Sequence, residues 1–575
     1  MPIHDRWLLE PSAPESEALP VAALLRPLFA RRGVRSATEL ESFCDPRLED
    51  LHDPAGIAGM DLAAERILRA VRDRESILIY GDYDVDGVTS IVMLRAVLRA
   101  LGGEVDFVIP HRLFDGYGLK SEVLDRVLAE KAVRLVITVD CGITSVDPVA
   151  RAIEQGIDVI VTDHHLPPEL LPEAAAVLNP RQPGCTYPYK DLAGVGVAFK
   201  LCCELLRRAG HGMSISSLVK IAAIGTIADV APLTGENRAL VRMGLAGLAD
   251  PRNPGLRALL RELGLLGRPL RASDVGFKIG PRINAAGRLA SANTAIDLFD
   301  ARTEAEAAPL VAQLEQMNRQ RRTIEGQVMD EAERAVEALG ELPRILVLWG
   351  EGWHKGVVGL CAGRLARKYH RPTLVISKQG DECVGSGRSI PTIDLHGELS
   401  AMGGLFTKFG GHAFACGFSL DVGSLAELRS RLEKSLAAAD ASRFVQTLAL
   451  DAELELSALD SAFTEDHDRL EPFGQENRQP AFLARGVTVD EIREFSPGCN
   501  RLTMKQASRR ATAISWPSTS GALETILRKG GELDLVFHLA PDRYDGHRLE
   551  IVDAAVSGEA PLELTASADR TWFEA

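Results

Sequence analysis

The feature that most restricts the fold is a series of short apolar segments that alternate with helical stretches from about residue 76 onward. Four of these segments are SILIYG, EVDFVIP, RLVITVD and DVIVTD, and their length and apolar character are typical of buried strands. The stretches between them include TSIVMLRAVLRALG, SEVLDRVLAEK and DPVARAIEQ, whose patterns are typical of helices. Strands that alternate with helices in this way indicate βαβ units and a parallel sheet.

The rest of the chain predicts further domains of different character. At 575 residues the chain is too long to fold around a single hydrophobic core, and we expect about three or four domains. Beyond Tyr187 the pattern becomes helical, and Thr303 to Leu339 contains so few helix breakers that one long connecting helix is predicted. Strand and helix patterns return from RILVLWG to about Asp440, which indicates a second, smaller α/β domain. Short strand-like runs with Gly and Pro turns then predict a small β-barrel.

These patterns give a set of expected boundaries for an α/β multidomain protein. The predicted parts are an N-terminal segment (1–50), a parallel-sheet domain (51–235), a helical region with the long connecting helix (236–340), a smaller α/β domain (341–440), a barrel domain (441–560) and a C-terminal tail (561–575).

Composition excludes several classes of protein. No stretch approaches the ~20 apolar residues of a membrane span, so we expect no membrane association. The first twenty residues lack a basic region followed by an apolar one, so we expect no secretory signal. The nine cysteines are scattered without a CxxC pair, which favours reduced thiols in the cytoplasm. A net charge of −15 argues against a general nucleic-acid coat but leaves room for a local basic surface.

Acidic residues gather where the predicted strands end. Asp82, Asp140 and Asp163 each follow a predicted parallel strand, and ligands bind beyond the carboxyl ends of such strands. Asp84 and Asp86 lie in the same motif, GDYDVDG, His164 and His165 follow Asp163, and Asp229 ends an apolar helical run.

Each aspartate also has an ordinary structural interpretation, because an aspartate after a strand is often a turn former or a helix N-cap. Several carboxylates that converge on one edge would repel one another and raise their pKa values, and a pair of divalent cations removes that conflict. Carboxylate and imidazole together suit Mn²⁺ best, with Mg²⁺ or Zn²⁺ as poorer matches. Two ions bridged by one aspartate form the usual site for phosphoester cleavage, and this is the chemistry that we predict.

The order of these motifs resembles a known family. The segments GDYDVDG, VDCGI, VTDHH and GTIADVAPL are similar to those of the DHH phosphoesterases, which are named for their Asp-His-His motif. The segments GPRINAAGR, GWHKGVVGLCAGRLA, GSGRS and FGGHAFACGF resemble those of the RecJ single-strand DNA exonucleases, and LEPFGQENRQPAF resembles the start of the RecJ OB domain. The resemblance runs from about Leu48 to Val556 and implies a DHH domain, a DHH-associated domain and an OB-type barrel.

The resemblance also implies roles for individual residues. It implies that the metal ligands are Asp82, Asp84, Asp86, Asp140, His164 and Asp229. Asp140 would be the bridging and catalytic ligand, and His165 would contact the scissile phosphate or orient a ligand. In some relatives a histidine stands two positions before the first aspartate of this motif, where this chain has Tyr80, a poor metal ligand; Asp82 would then fill the gap.

A second group of residues is implied to bind the DNA. Arg112, Arg282, Ser386 and Arg388 would hold the 5′ phosphate, and His354 and His412 would lie at the cleft between the domains; we add Asn284 and Arg288 from the GPRINAAGR motif as DNA-binding residues. Guanidinium groups match a phosphate as planar forks, although each arginine could equally be solvated or ion-paired. The segment LAGVGVAFK partly matches a dinucleotide-binding loop, but Phe199 replaces the third glycine and no strand precedes it, so we reject that interpretation.

The leading prediction is a Mn²⁺-dependent 5′→3′ exonuclease on single-stranded DNA that acts in DNA repair and recombination. The alternatives are a DHH phosphodiesterase on short oligonucleotides or cyclic dinucleotides, and an inactive replication scaffold. The resemblance implies a helicase and a single-strand DNA-binding protein as partners, and we expect a monomer.

Overall fold

The computed structural model describes residues 3–10, 19–112, 114–116, 118–289, 291–528, 530–542 and 546–564. The chain divides into two units. One unit holds Glu41–Ile324 together with Pro472–Asn477, and the other holds Met1–Leu40, Glu325–Glu471 and Arg478–Ala575. Among the described residues, no helix has both the length and the apolar character that a membrane crossing requires.

The predicted parallel sheet forms within the first of these units. In chain order the first elements are β1 (Arg6–Leu9), α1 (Arg26–Arg31), α2 (Ala37–Cys44), α3 (Met60–Arg72), β2 (Ser76–Gly81), α4 (Val85–Ala100), β3 (Glu104–Val108), α5 (Ser121–Glu130), β4 (Leu135–Val139), α6 (Val146–Glu154), β5 (Asp158–Thr162) and β6 (Ala176–Leu178). Strands β2 to β6 pair in the order β3-β2-β4-β5-β6, and every pair is parallel. Both faces are covered, so the central strands β2 and β4 are apolar and almost wholly buried.

A helical region follows, as predicted. Its elements are α7 (Gly194–Ala209), α8 (Ile215–Ala228), α9 (Gly235–Leu248), α10 (Pro254–Glu262), α11 (Ala272–Asp274), a π-helical turn (Val275–Ile279), α12 (Gly280–Leu289), α13 (Asn293–Asp300) and α14 (Glu304–Glu337). The long connecting helix predicted from Thr303 to Leu339 is confirmed as α14, and the division between the two units falls within it.

The second α/β sheet is mixed rather than parallel. It consists of β7 (Leu346–Glu351), α15 (Val358–Tyr369), β8 (Thr373–Gln379), β9 (Glu382–Arg388), α16 (Leu395–Ser400), β10 (Phe406–His412), β11 (Ala415–Asp421) and α17 (Leu425–Ala437). The strand order is β10-β11-β9-β8-β7, and only β7 and β8 pair in parallel. The glycine-rich motif FGGHAFACGF supplies the hairpin of β10 and β11 at the sheet edge.

The predicted C-terminal barrel is confirmed. Its elements are β12 (Thr447–Leu450), β13 (Ala452–Glu453), α18 (Ser461–Asp468), β14 (Phe482–Ser496), β15 (Cys499–Gln506), β16 (Arg509–Ser515), α19 (Pro517–Leu527), β17 (Leu533–Asp542), β18 (Gly546–Val556) and β19 (Leu562–Leu564). Strand β14 pairs with both β15 and β17, and β16 pairs in parallel with β18, which closes a five-stranded barrel. The N-terminal β1 pairs with β12 and β19, so residues from the predicted N-terminal segment and C-terminal tail form one small sheet. Most of the predicted tail, residues 565–575, lies outside the described residues.

A buried ion pair ties the helical region to the segments around it. Lys200 on α7 pairs with Glu236 on α9, and the exposed fractions of these two residues are 1% and 4%. The Lys200 ammonium also donates to the carbonyl of His52 (2.7 Å), and the Tyr187 hydroxyl donates to Glu236 (2.5 Å). Because these charges lie out of water, either one alone would be strongly destabilising.

We therefore expect Lys200→Met to destabilise this unit by about 3–5 kcal/mol, because it leaves the Glu236 carboxylate buried without its cation. The double variant Lys200→Met/Glu236→Gln should recover part of that loss. The loss should lower the midpoint of urea unfolding measured by circular dichroism. All five tryptophans lie outside residues 41–324, so the midpoint measured by tryptophan fluorescence should change less. A single variant as stable as the wild type would contradict the role given to the pair.

Candidate metal centre

The carboxyl ends of three adjacent parallel strands bring the predicted carboxylates together. Asp82, Asp140 and Asp163 immediately follow β2, β4 and β5, and β4 pairs with both of the other strands. The placement predicted from the alternating pattern is confirmed. All three aspartates are at least 96% buried, so their charges lie in a medium of low dielectric constant.

Asp84 combines a structural role with its position in the cluster. Its Oδ1 accepts hydrogen bonds from the Asp86 and Gly87 amides (2.9 and 3.1 Å), so Asp84 is the N-cap of α4. The loop is tight, because a Cβ at Gly87 would lie 2.4 Å from the carbonyl oxygen of Asp82. The N-cap interpretation therefore applies to Asp84, and the same turn directs it towards Asp82 and Asp140.

The N-terminus of α7 holds Asp86. The Gly194 amide donates to one carboxylate oxygen and the Val195 amide to the other, both at 2.7 Å. A Cβ at Gly194 would lie 2.8 Å from Oδ1 of Asp140, so a glycine is needed there. These residues belong to LAGVGVAFK, the segment rejected as a dinucleotide loop. No role in the site was predicted for this segment, although its glycines are a signal of close approach between the backbone and other groups.

Two residues of the site adopt a left-handed backbone conformation. Asp140 has φ +59° and Val230, the residue after Asp229, has φ +60°. This conformation is uncommon for residues other than glycine, and for a β-branched residue it is a clear outlier. Such strain persists where the surrounding structure fixes the chain, often at functional sites.

The histidine pair is held by the strand-end aspartates. Nε2 of His164 lies 3.2 Å from Oδ1 of Asp140, and Nδ1 of His164 lies 3.9 Å from Oδ2 of Asp229. His165 is oriented by Asp163, whose Oδ1 lies 2.7 Å from Nδ1 of the ring and accepts from the His165 amide (3.1 Å). Asp163 was predicted only as a strand-end aspartate, and its orienting contact with His165 was not predicted.

The candidate ligands fall into three overlapping sets. Within each set, one ligand atom from each residue lies within 4.8 Å of the others. The sets are Asp82, Asp84 and Asp140; Asp86, His164 and Asp229; and Asp140, His164 and His165. The structure thus brings together all six predicted ligands and His165, and Asp140 and His164 each belong to two sets.

Burial and mutual repulsion shift the titration of this cluster. Burial, followed by the charge of neighbouring aspartates, raises the pKa values of Asp82, Asp140 and Asp229 well above the ordinary range, and raises the pKa of Asp86 to about 7. Burial lowers the pKa of His164 to about 3, which keeps its imidazole neutral as a metal ligand requires.

The Asp163–His165 pair shifts in the opposite direction. Burial has the largest single effect and would raise the pKa of Asp163, but the hydrogen bond with His165, the charge of that imidazole and the Ile143 amide together lower it. Burial also has the largest single effect on His165 and opposes its charge, but the hydrogen bond to Asp163 and the charges of nearby aspartates together raise the pKa of the imidazole. The protonated form of His165 is thereby favoured.

The donor set fits divalent cations. Among the described residues, Oδ1 of Asp82 is buried and has no hydrogen-bond partner, as expected of an atom reserved for another ligand. Oxygen donors with one or two imidazoles suit Mn²⁺, and Mg²⁺ also accepts the carboxylates. Tyr80 takes no part, because its hydroxyl donates to the carbonyl of Gly118 (3.1 Å) and accepts from the amide of Lys120 (3.3 Å).

Four predicted DNA-binding residues lie in the same unit as the carboxylates. The Arg112 guanidinium lies over the ring of Tyr83 at 4.8 Å. Burial, followed by the charge of Arg112, lowers the pKa of Arg288 to about 9. Arg282 forms an ion pair with Glu315 and donates to the carbonyl of Lys278 (2.8 Å), so the ion-paired alternative holds for this arginine. The fourth residue, Asn284, lies half-buried on α12, the helix that also carries Arg282 and Arg288.

The other four predicted DNA-binding residues, His354, Ser386, Arg388 and His412, belong to the second unit. Arg388 donates to the Ser386 hydroxyl (3.0 Å) and to the carbonyl of Gly387 (2.8 Å), so these side chains form a local pair on β9. His354 accepts from the Gly356 amide (3.0 Å), and burial lowers the pKa of its imidazole. His412 is exposed at the end of β10.

Three family descriptions match successive parts of the chain. Residues 76–226 match the DHH family, N-terminal domain; residues 342–438 match the DHHA1 domain; and residues 450–552 match the RecJ OB domain. Together they cover the parallel sheet, the mixed sheet and the barrel.

Whole-chain comparisons agree with this assignment. The chain is 35% identical to the single-stranded-DNA-specific exonuclease RecJ of Bacillus subtilis over 97% of this chain and 71% of that protein. It is 40% identical to the RecJ of Dickeya dadantii over 80% of this chain and 83% of that protein. The crystal structure of Thermus thermophilus RecJ with Mn²⁺ superposes with a TM-score of 0.81 at 31% identity, over 96% of this chain and 80% of that one. The protein therefore belongs to the RecJ family of DHH proteins.

Proposed function

We propose that this protein is a metal-dependent exonuclease that hydrolyses single-stranded DNA from the 5′ end. The observation that carries the proposal is the set of seven carboxylate and imidazole groups at the strand ends, with ligand atoms in overlapping groups of three within 4.8 Å. Family membership supports the substrate, because the relatives are named single-stranded-DNA-specific exonucleases and solved RecJ structures hold Mn²⁺ or Mg²⁺.

The ligands would hold two divalent cations. We propose Asp82, Asp84 and Asp140 for one ion, and Asp86, His164 and Asp229 for the other. Asp140 also lies within 3.2 Å of His164, which supports a bridging role between the two positions. A cation pair in such a site activates water and neutralises the charge of the phosphate under attack.

His165 has a separate role in the proposal. Its raised pKa favours the protonated ring, and Asp163 fixes its orientation through Nδ1. The other ring nitrogen would then donate to a non-bridging oxygen of the scissile phosphate. Charge-assisted bonds of this kind stabilise negative charge as it develops.

The polarity of degradation would come from recognition of the 5′ phosphate. Arg112, Arg282, Ser386 and Arg388 supply charged or hydroxyl donors, and Asn284, Arg288, His354 and His412 add polar groups for the strand. The OB-type barrel supports a single-stranded substrate, since this fold binds single strands through charge and stacking.

The two alternatives have weaker support. A phosphodiesterase for dinucleotides has no need of a barrel that binds longer strands, and this chain has a RecJ OB domain. An inactive scaffold would have no reason to keep the ligands, and all six are present and close together.

We also propose that the protein works as a monomer in the cytoplasm, in DNA repair and recombination, with a helicase and a single-strand DNA-binding protein as partners. Nine cysteines that are all free thiols support a reducing compartment. Such partners would supply the unpaired strand that the enzyme consumes.

Asp140→Asn should abolish Mn²⁺-dependent degradation of end-labelled single-stranded DNA, with a loss larger than the ~10–100-fold that removal of an outer-shell partner costs. Asparagine tolerates the left-handed backbone at this position, so the fold should remain. In EDTA the variant should be more stable than the wild type, because one repelling charge is gone.

The matched control is Asp106→Asn, which removes an exposed carboxylate of the same unit and should leave both properties nearly unchanged. Substrates blocked at the 5′ or the 3′ end test polarity in the same assay. Wild-type activity in Asp140→Asn at equal metal occupancy, or degradation that a 3′ block alone prevents, would contradict the proposal.

The effect of Mn²⁺ on stability should grow as pH rises. In the metal-free protein the raised pKa values mean that the folded state binds more protons than the unfolded state between about pH 4 and pH 7. Stability in EDTA should therefore fall across that window. Mn²⁺ replaces those protons and binds more tightly as they leave, so the Mn²⁺-induced rise in Tm should increase from pH 5.5 to pH 8. A rise that stays constant or shrinks would contradict this account.

Arg388→Ala should reduce the preference for a 5′-phosphate over a 5′-hydroxyl terminus by roughly tenfold, because it removes charge-assisted hydrogen bonds to the terminal phosphate. The ratio of kcat/KM for the two substrates is the measurement, taken at several salt concentrations because non-specific phosphate contacts weaken with salt. Arg367→Ala, which removes an exposed arginine on α15 of the same unit, is the control. Equal preference ratios in the two variants would rule out end recognition by Arg388.

A further inference from the structure

The π-helical turn Val275–Ile279 displays an aromatic side chain that the site described above does not use. Phe277 is 81% exposed, whereas Val275 and Ile279 at the ends of the turn are fully buried. The buried ends anchor the turn and project the ring into solvent. π-helical turns are rare and occur frequently at functional sites.

The turn lies between two parts of the functional site. On one side it packs on the end of α8, where a Cβ at Gly280 would lie 3.6 Å from the Cβ of Ala228. Ala228 is followed by Asp229, the candidate metal ligand that caps α8. On the other side, the carbonyl of Lys278 accepts a hydrogen bond from Arg282 (2.8 Å), a candidate phosphate ligand. Phe277 thus stands on the segment that connects these two groups.

A second apolar side chain is held outward beside Asp229 at an energetic cost. Val230 is 63% exposed at φ +60°. It occupies the left-handed position of a Schellman motif, in which the Val230 amide donates to Ile227 (3.2 Å) and the Ala231 amide to Thr226 (3.3 Å). Glycine is the usual residue here, and valine adds strain without burial. An exposed apolar group kept at that cost beside a candidate ligand indicates a contact with something outside the chain.

We propose that Phe277 is a stacking platform for one base of the single-stranded DNA next to the phosphate at the metal centre, with Val230 as an apolar contact for the same part of the strand. The inference rests on the proposed function. A ring stacks on any base, so the contact holds the strand without selecting its sequence. Aromatic residues make up only 5% of the chain, so an exposed ring on a turn that packs against the end of α8 is informative.

The contact predicts a penalty that depends on one base. The substrates are a 5′-phosphorylated oligothymidylate and a series in which single abasic residues replace the first, second, third or fourth nucleotide. The full-length protein degrades each one in Mn²⁺, and KM and kcat are measured separately. For the wild type we expect kcat/KM to fall about tenfold at one abasic position, chiefly through KM, because stacking contributes to binding.

Phe277→Ala should lose about tenfold on the intact substrate and show no further loss at that abasic position. Phe277→Trp should restore the wild-type pattern, since it keeps an aromatic face. Leu62→Ala is the matched control, because Leu62 is a 62% exposed apolar side chain on α3, a helix without candidate site residues. The Mn²⁺-induced rise in Tm of each variant shows whether the metal centre has stayed intact.

The outcomes separate the two proposals. If the wild type fails to degrade any of these strands in Mn²⁺, the proposed function fails and the stacking inference falls with it. If the wild type is active and Phe277→Ala keeps the same abasic penalty, stacking alone is overturned. If Phe277→Ala loses activity equally on every substrate and the abasic penalty remains, Phe277 supports Arg282 instead. If the variant changes oligomeric state and the abasic penalty remains, Phe277 makes a protein contact instead. Either result would overturn the stacking inference.

Discussion

The mutual repulsion of buried carboxylates at the ends of parallel strands is the constraint on which the rest of the site depends. Asp82, Asp86, Asp140 and Asp229 have raised pKa values because they are buried and near one another. Such a cluster costs stability unless protons or cations neutralise it. The fold therefore has to keep these carboxylates away from water and close to one another at the same time. Backbone amides provide many of the contacts that hold them.

Backbone amides hold Asp84 and Asp86 from different directions. Two amides in the first turn of α4 donate hydrogen bonds to Asp84, which caps that helix. Two amides in the first turn of α7 donate hydrogen bonds to Asp86. Helix N-termini carry partial positive charge, so both contacts stabilise carboxylates without a side-chain cation. A lysine or arginine there would pair with the carboxylates and compete with a metal ion. Amides fix the geometry and leave oxygen lone pairs for the cation.

Sequence patterns predicted the parts of this arrangement that depend on local periodicity. The parallel strands, the aspartates that follow them and the long helix α14 all have short-range signals, and each was predicted at nearly its observed position. The contact of Gly194 with Asp86 joins residues 108 positions apart and has no periodic signal. The same limit applies to the pairing of β1 with β12 and β19, because no local sequence pattern predicts which of several distant short strands will pair.

Local sequence patterns also did not predict which charged groups form ion pairs. Arg282 was predicted from its motif as a phosphate ligand, but the motif does not reveal that Glu315 on α14 lies against it. The predicted convergence at the strand ends is present in the structure, where the six candidate ligands and His165 form overlapping sets with ligand atoms within 4.8 Å of one another.

The ion pair of Arg282 has a consequence for substrate binding. A guanidinium has five N–H donors, and Glu315 and the Lys278 carbonyl occupy only some of them, so the others could donate to a phosphate as proposed. In the proposed role, the Glu315 carboxylate would hold the guanidinium in place before the phosphate binds, so less side-chain entropy would be lost, but it would also weaken the attraction for a second anion. Because Arg282 is hydrogen-bonded to the turn that packs on the end of α8, a phosphate bound to Arg282 as proposed would be placed relative to Asp229 through a short path within this unit. The spacing between the end of the strand and the metal centre can then be set within this one unit, by helix packing rather than by flexible loops.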